Sequence, residues 1–199
     1  SLQRLKVSYV DLFLIHSPRG GHLLETWDAM LSLRSLGLTR AIGVSNFGVA
    51  QLEALKLAGR EMPAVNQIEL HCFWQQQETV SFCQSNGIAV MAYSPLARGK
   101  LFGRTQLKAL AKELGRSEAN VCIQWLLQRG CIVIPKSTNP DRIRENVSAI
   151  RHPPLSAAQM ELIATLDQGF CSCPAASAMD TPWTQIAVGK PSGKGKSKG

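Results

Sequence analysis

Five short apolar runs, separated by amphipathic stretches, constrain this 199-residue chain more than anything else in it. They read "VDLFLIH" (10–16), "RAIGVSN" (40–46), "AVNQIELH" (64–71), "IAVMAYS" (88–94) and "CIVIPKS" (131–137). Each is short and rich in β-branched or bulky apolar residues, as in strands buried on both faces. The steps between the first four are each close to the length of one strand-helix unit. The stretches between them repeat apolar residues every three or four positions, which predicts helices. Leu24, Trp27 and Leu31 share one face, as do Val49, Leu52 and Leu55, and Val80 and Cys83 mark a third helix. A longer connection (98–130) holds two helical stretches, one with Leu107, Leu110 and Leu114 and one with Val121 and Trp125. Ile143, Val147 and Ile150 predict a helix after the last strand. Gly37, Gly59, Gly87 and Gly130 each follow a helical stretch, where a left-handed residue ends the helix.

Strand alternating with helix implies a parallel sheet, either doubly wound or barrel-shaped. The strand ends favour the barrel. Each run finishes in polar groups: His16, Ser45 and Asn46, Gln67, Tyr93 and Ser94, Lys136 and Ser137. A (β/α)8 barrel builds its site from several strand ends at one face. No GxGxxG follows any run, which counts against a doubly wound dinucleotide fold.

Composition removes other classes. Hydrophobic residues make up 45% and charged residues 18%, as in a globular domain. No apolar run approaches the roughly 18 residues needed to span a bilayer. No basic start leads into an apolar stretch, so no signal peptide is expected, and a cytoplasmic location is. The chain begins with Ser, so a processed chain or a fragment is expected. Six cysteines sit mostly inside apolar patterns without a CxxC pair, which predicts reduced thiols and no metal site. Cys171-Ser172-Cys173 alone does not name a redox motif. The net charge of +8 raises nucleic acid as a partner, but much of the excess lies in a tail carrying Lys190, Lys194, Lys196 and Lys198 among Gly and Ser. With 6% aromatic residues and no recognition motif, neither a nucleic acid nor a membrane partner is expected, and the tail is expected to be disordered.

The ordered residues resemble the aldo-keto reductase family. "LSLRSLGLTRAIGVSNF" (31–47) is similar to its central signature and "IPKSTNPDRIRENV" (134–147) to its C-terminal one. "DLFLIHSP", "VNQIELH" and "AYSPL" are similar to three further segments, and the resemblance covers about residues 1–170. It implies an NADPH-dependent reductase of aldehydes or ketones, built on an incomplete (β/α)8 TIM barrel, about the last five strand-helix units. Two segments follow: a partial oxidoreductase domain over 1–170, then a C-terminal loop and Lys/Gly-rich tail over 171–199.

The resemblance also implies roles. His16 matches the histidine that orients the substrate carbonyl. Ser45, Asn46 and Gln67 match the groups that hold the nicotinamide carboxamide, and Tyr93 the aromatic that stacks on its ring. Ser94 and Leu96 fall in the segment touching the pyrophosphate. Lys136, Ser137 and Arg142 match the grip on the adenosine 2′-phosphate, and Glu145 and Asn146 the contacts to adenine. These residue types suit such roles. Amides and hydroxyls both donate and accept, an aromatic face suits a flat ring, and Lys and Arg suit a phosphate. The helix N-terminus after "PKSTNP" is also expected to favour an anion.

Two departures from the family stand out. Cys72 replaces the usual proline, which predicts a freer turn. The family's catalytic tyrosine, lysine and aspartate come from units before the histidine strand, and about nine residues precede it here. A truncated reductase is therefore expected, or alternatively an inactive NADP-binding or regulatory relative. Self-association through unpaired barrel strands is expected as well.

Overall fold

A computed structural model describes residues 1–103 and 105–173. The expected Lys/Gly-rich tail, from residue 174 on, lies outside the described residues. A short helix α1 (Leu2–Leu5) leads into strand β1 (Val10–Ile15). Then α2 (Leu23–Ser35), β2 (Thr39–Ser45), α3 (Val49–Leu57), β3 (Val65–Glu69), α4 (Gln77–Ser85) and β4 (Ala89–Tyr93) alternate strictly. Helices α5 (Thr105–Glu113) and α6 (Glu118–Gln128) fill the long connection before β5 (Ile132–Val133). Helices α7 (Pro140–Ser148) and α8 (Ala157–Ala164) follow. The strands form one parallel sheet in sequential order, β1-β2-β3-β4-β5. This is the expected α/β architecture, a five-stranded portion of a (β/α)8 barrel.

The pairing divides the sheet into two faces. Leu14 pairs Gly43, Ser45 pairs Gln67, and Gln67 pairs Met91, so these residues share one face with Tyr93, which pairs Glu69. The opposite face carries Ile42, Val44, Ile68, Val90 and Ala92, all at most 2% exposed beneath the helices. Trp27, Leu52, Leu55, Val80 and Cys83 supply the helical half of that core, as their spacing predicted. Each fully buried large side chain contributes about 1.5–3 kcal/mol. Gly37, Gly59, Gly87 and Gly130 all take positive φ after a helix. Gly43 serves a different end. A Cβ there would stand 2.5 Å from the Val65 carbonyl oxygen and 2.7 Å from Leu14 Cδ2, so only glycine lets β2 lie this close to its neighbours.

The structure differs from expectation at the sheet's ends. Strand β5 spans two residues instead of seven, with Ile134 still donating to the Ala92 carbonyl oxygen at 3.2 Å before the chain reaches Pro135. Ile143, Val147 and Ile150 form the expected helical stripe on and after α7, yet they are 46%, 52% and 68% exposed. Nothing among the described residues covers them. Phe13 of β1 and Ile132 of β5 are each 43% exposed for the same reason: each lies in a terminal strand with a single neighbour. The turn at Cys72 is not freer. His71 and Trp74 exchange two backbone hydrogen bonds across it, and Cys72 is fully buried with its Sγ 3.3 Å from that of Cys122.

Candidate functional site

The polar strand ends meet at one end of the sheet. Asn46 is the knot between them. It is 3% exposed and has φ of 60°, a left-handed conformation that asparagine tolerates better than most residues. Its Nδ2 donates to the His16 carbonyl oxygen at 3.0 Å and to Ser45 Oγ at 3.1 Å. Its Oδ1 accepts from the Tyr93 hydroxyl at 2.8 Å. Burial, with Glu69 adding repulsion, pushes the Tyr93 hydroxyl well above the usual phenol range, so Tyr93 is a firm donor. Ser45 Oγ in turn donates to the Gln67 carbonyl oxygen at 2.8 Å. The ends of β1, β2, β3 and β4 are thus tied to one another through side chains. The amide of Asn46 is engaged by the scaffold on every side. Gln67 is freer: its Nε2 rests 3.1 Å from the Met91 thioether, a weak acceptor. His16 is exposed just past β1, on the face that carries Ser45 and Gln67.

Beside this network opens a groove of about 850 Å³. All seven remaining candidates line it: Ser94, Leu96, Lys136, Ser137, Arg142, Glu145 and Asn146. Ser94 follows Tyr93 directly, so the groove continues from the polar knot. Lys136 and Arg142 are exposed, and among the described residues neither is paired with a carboxylate. Unpaired cations on one wall suit an anionic ligand. The helix N-terminus adds less than expected. Pro140 has no N–H, and Asn139 Oδ1 already accepts from the amides of Asp141 (2.8 Å) and Arg142 (3.3 Å). The anion therefore depends on side chains rather than on free helix amides.

The groove also has walls the candidate residues did not include. Arg98, Gly99 and Phe102 come from the loop after β4, and Ser117 and Glu118 from the start of α6. The loop is unusual in its backbone: Ser94, Ala97 and Arg98 have φ of 47°, 47° and 54° without being glycine. Such residues persist only where their surroundings hold them.

The loop's own backbone hydrogen bonds hold part of it, from the Ala97 amide to Ser94 and from the Gly99 amide to Leu96, and a second tether begins at Glu69, 1% exposed at the end of β3. Its carboxylate accepts from the backbone N–H of Ser172 (2.7 Å) and of Cys173 (3.1 Å), and lies 3.1 Å from His71 Nε2. Burial opposes its charge, but these donors together keep its pKa below the usual glutamate value. It thereby ties down the strap 168–173, which spans the expected start of the C-terminal loop. The strap in turn reaches the groove loop: Arg98 donates to Cys173 Sγ at 2.8 Å and Lys100 to the Ser172 carbonyl at 3.5 Å. Glu69 is absent from the residues singled out by sequence. The alternation Val65, Gln67, Glu69 places it on the site face, and that signal was available.

No group of three His, Cys, Asp or Glu residues is placed to hold a metal among the described residues, and none of their helices is long and apolar enough to cross a membrane.

Comparison with known proteins bears on the fold and the family. A crystal structure of an aldo-keto reductase from a deep-sea metagenome library superposes with a TM-score of 0.81 at 33% identity, covering 85% of this chain and 64% of that one. One of a Bombyx mori aldo-keto reductase in complex with NADP gives 0.77 at 36% identity, covering 86% and 62%. Among curated proteins, an uncharacterised oxidoreductase of Schizosaccharomyces pombe is 44% identical over 173 residues, 86% of this chain and 62% of the relative. Methylglyoxal reductase DkgB of Yersinia pestis is 41% identical over 172 residues, 84% of this chain and 64% of the relative. The chain spans about three fifths of the length of the curated relatives it matches. The family model described as "Aldo/keto reductase family" matches residues 1–168, and the chain belongs to that family.

Proposed function

We propose that this chain carries the NADP(H)-binding side of a carbonyl reductase site, for an aldehyde or ketone substrate. The observation that carries this reading is the groove, where seven residues from three separate segments converge with two unpaired cations among them. Lys136, Ser137 and Arg142 hold the 2′-phosphate, with Glu145 and Asn146 at the adenine end. Ser94 and Leu96 run beside the pyrophosphate. Tyr93, fixed by Asn46, offers its ring to the nicotinamide, and Gln67 can trade its thioether contact for the carboxamide. Bound NADPH supplies a hydride to a carbonyl carbon. His16, exposed at the same strand ends, donates a hydrogen bond to the carbonyl oxygen and orients it.

A second reading, cofactor binding without turnover, is favoured by the tyrosines. A reductase needs an acid to protonate the nascent alkoxide, which typically contributes about 10²–10⁴-fold. The sequence has two tyrosines. Tyr93 keeps its proton in a hydrogen bond donated to Asn46 Oδ1, and Tyr9 lies at the far end of β1 beneath the Arg40 guanidinium, 4.3 Å from its ring. Titrating NADPH by fluorescence and then adding an aldehyde separates the two: turnover sinks the second reading, binding without turnover supports it, and absence of binding refutes both.

The open ends of the sheet bear on partners. The exposed Phe13, Ile132 and α7 stripe favour self-association, each end lending its unpaired strand to another copy. Sedimentation of a purely monomeric chain at all concentrations would contradict it.

A further inference from the structure

We propose that Cys173, with Cys171 as its partner, is a thiol modification site whose oxidation by a hydroperoxide unfastens the loop lining the groove. The groove's ligand is taken from the reading above; the latch itself stands on the contacts alone.

The two cysteines differ from the other four. Cys72, Cys83, Cys122 and Cys131 are at most 5% exposed, whereas Cys171 and Cys173 are only partly buried, beside the loop that lines the groove. They also curl around one oxygen: Cys171 Sγ lies 3.5 Å from Glu69 Oε2, and the Cys173 amide donates to the same atom at 3.1 Å. Their environments are unequal. Cys173 Sγ accepts a hydrogen bond from the Arg98 guanidinium at 2.8 Å. Burial and the Glu69 carboxylate push the Cys171 thiol up, so it keeps its proton. A guanidinium beside one sulfur and a carboxylate beside the other assign the attacking sulfur to Cys173 and the resolving one to Cys171.

The chemistry balances. With hydrogen peroxide as the hydroperoxide, the Cys173 sulfur attacks as its thiolate at one oxygen: an S–O bond forms, the O–O bond breaks, and the second oxygen leaves as water after protonation. The Cys171 sulfur then attacks the sulfenic acid: an S–S bond forms, the S–O bond breaks, and the thiol proton leaves with the hydroxide as a second water. Two thiols lose two electrons, and hydrogen peroxide gains them. The disulfide draws Cys173 Sγ away from Arg98. The backbone of Ala97 and Arg98, both left-handed without glycine, loses one of the tethers that hold it and keeps only its local backbone bonds and the long Lys100 contact.

Trypsin reads the result directly, because it cuts after Arg98 and Lys100, both exposed in this loop. Reduced protein should be cut slowly at these bonds. Protein treated with hydrogen peroxide should show a 171–173 disulfide by peptide mass mapping and should be cut roughly three- to tenfold faster, the factor for one half-exposed charge-assisted hydrogen bond. Reductant should restore the slow rate. C173A should be cut fast without oxidant, while C173S, which keeps an acceptor for Arg98 and cannot form the disulfide, should stay slow with and without peroxide. Peroxide that links Cys72 to Cys122 while leaving Cys171 and Cys173 reduced would overturn the proposal. So would C173A cut at the wild-type rate.

Discussion

Replacing Asn46 tests whether the strand-end knot is as central as its geometry indicates. Asn46→Ala removes three side-chain hydrogen bonds, to the His16 carbonyl, Ser45 and Tyr93. At about 1 kcal/mol each they account for about 3 kcal/mol. Alanine must also hold φ of 60°, which adds about 1 kcal/mol relative to asparagine. The expected loss is about 4 kcal/mol, a large part of the stability of any domain. Asn46→Gly loses the same bonds but accepts the backbone freely. After its greater unfolded-state entropy is counted, it should cost about 3 kcal/mol. Urea unfolding followed by far-UV circular dichroism measures both. With a slope near about 2 kcal/mol per molar, the Asn46→Ala midpoint should fall by about 2 M, and the glycine variant should lie between it and wild type. Tyr93→Phe combined with Asn46→Ala should give a coupling of about 1 kcal/mol, because both changes remove the same bond. A glycine variant no better than alanine would refute the backbone argument. A loss under about 0.5 kcal/mol in Asn46→Ala would refute the knot itself, since that is the range of an uninvolved surface residue.

Other expectations follow from single features. Gly43→Ala places a Cβ against the Val65 carbonyl and Leu14, and should cost about 1–3 kcal/mol in the same unfolding assay. Arg142→Ala or Lys136→Ala should each weaken NADPH binding about tenfold and leave NADH little changed, as fluorescence titration would show, with the gap narrowing in high salt. Glu69 titrates below its unfolded value, so the stability it gives the strap is complete above the unfolded pKa and disappears as pH falls through the folded one. Protection of the Ser172 and Cys173 amides against hydrogen exchange, corrected for intrinsic rate, should fall over that acid window and be low at all pH in Glu69→Gln.

Much of the fold was legible because its signals are local. An apolar run bounded by glycine needs no distant information to be a strand, and Gly37, Gly59 and Gly87 marked helix ends correctly by their freedom at positive φ. The site's outline was legible because polar residues at the ends of parallel strands converge wherever the sheet leads. What escaped was non-local. Whether Ile143 and Val147 are buried depends on what lies across from α7, which their spacing cannot reveal. That Asn139 occupies the amides of α7 depends on one rotamer. Cys72 was expected to loosen a turn, yet the His71–Trp74 backbone pair and the burial beneath it decide the conformation. Glu69 could be placed on the correct face by alternation, but the strap amides it anchors lie over a hundred positions along the chain.

The strictly sequential order of the strands carries a kinetic consequence. Every pairing joins neighbours separated by one crossover, and among the described residues no strand has to find a partner from the other end of the chain. Loop-closure entropy is thus met in small steps, and relative contact order stays low for a parallel sheet. Such a sheet zips outward from its middle and unzips inward from its ends, like a short repeat array. Below the global unfolding transition, amide exchange should then grade along the sheet, slowest in β3 and fastest in β1 and β5.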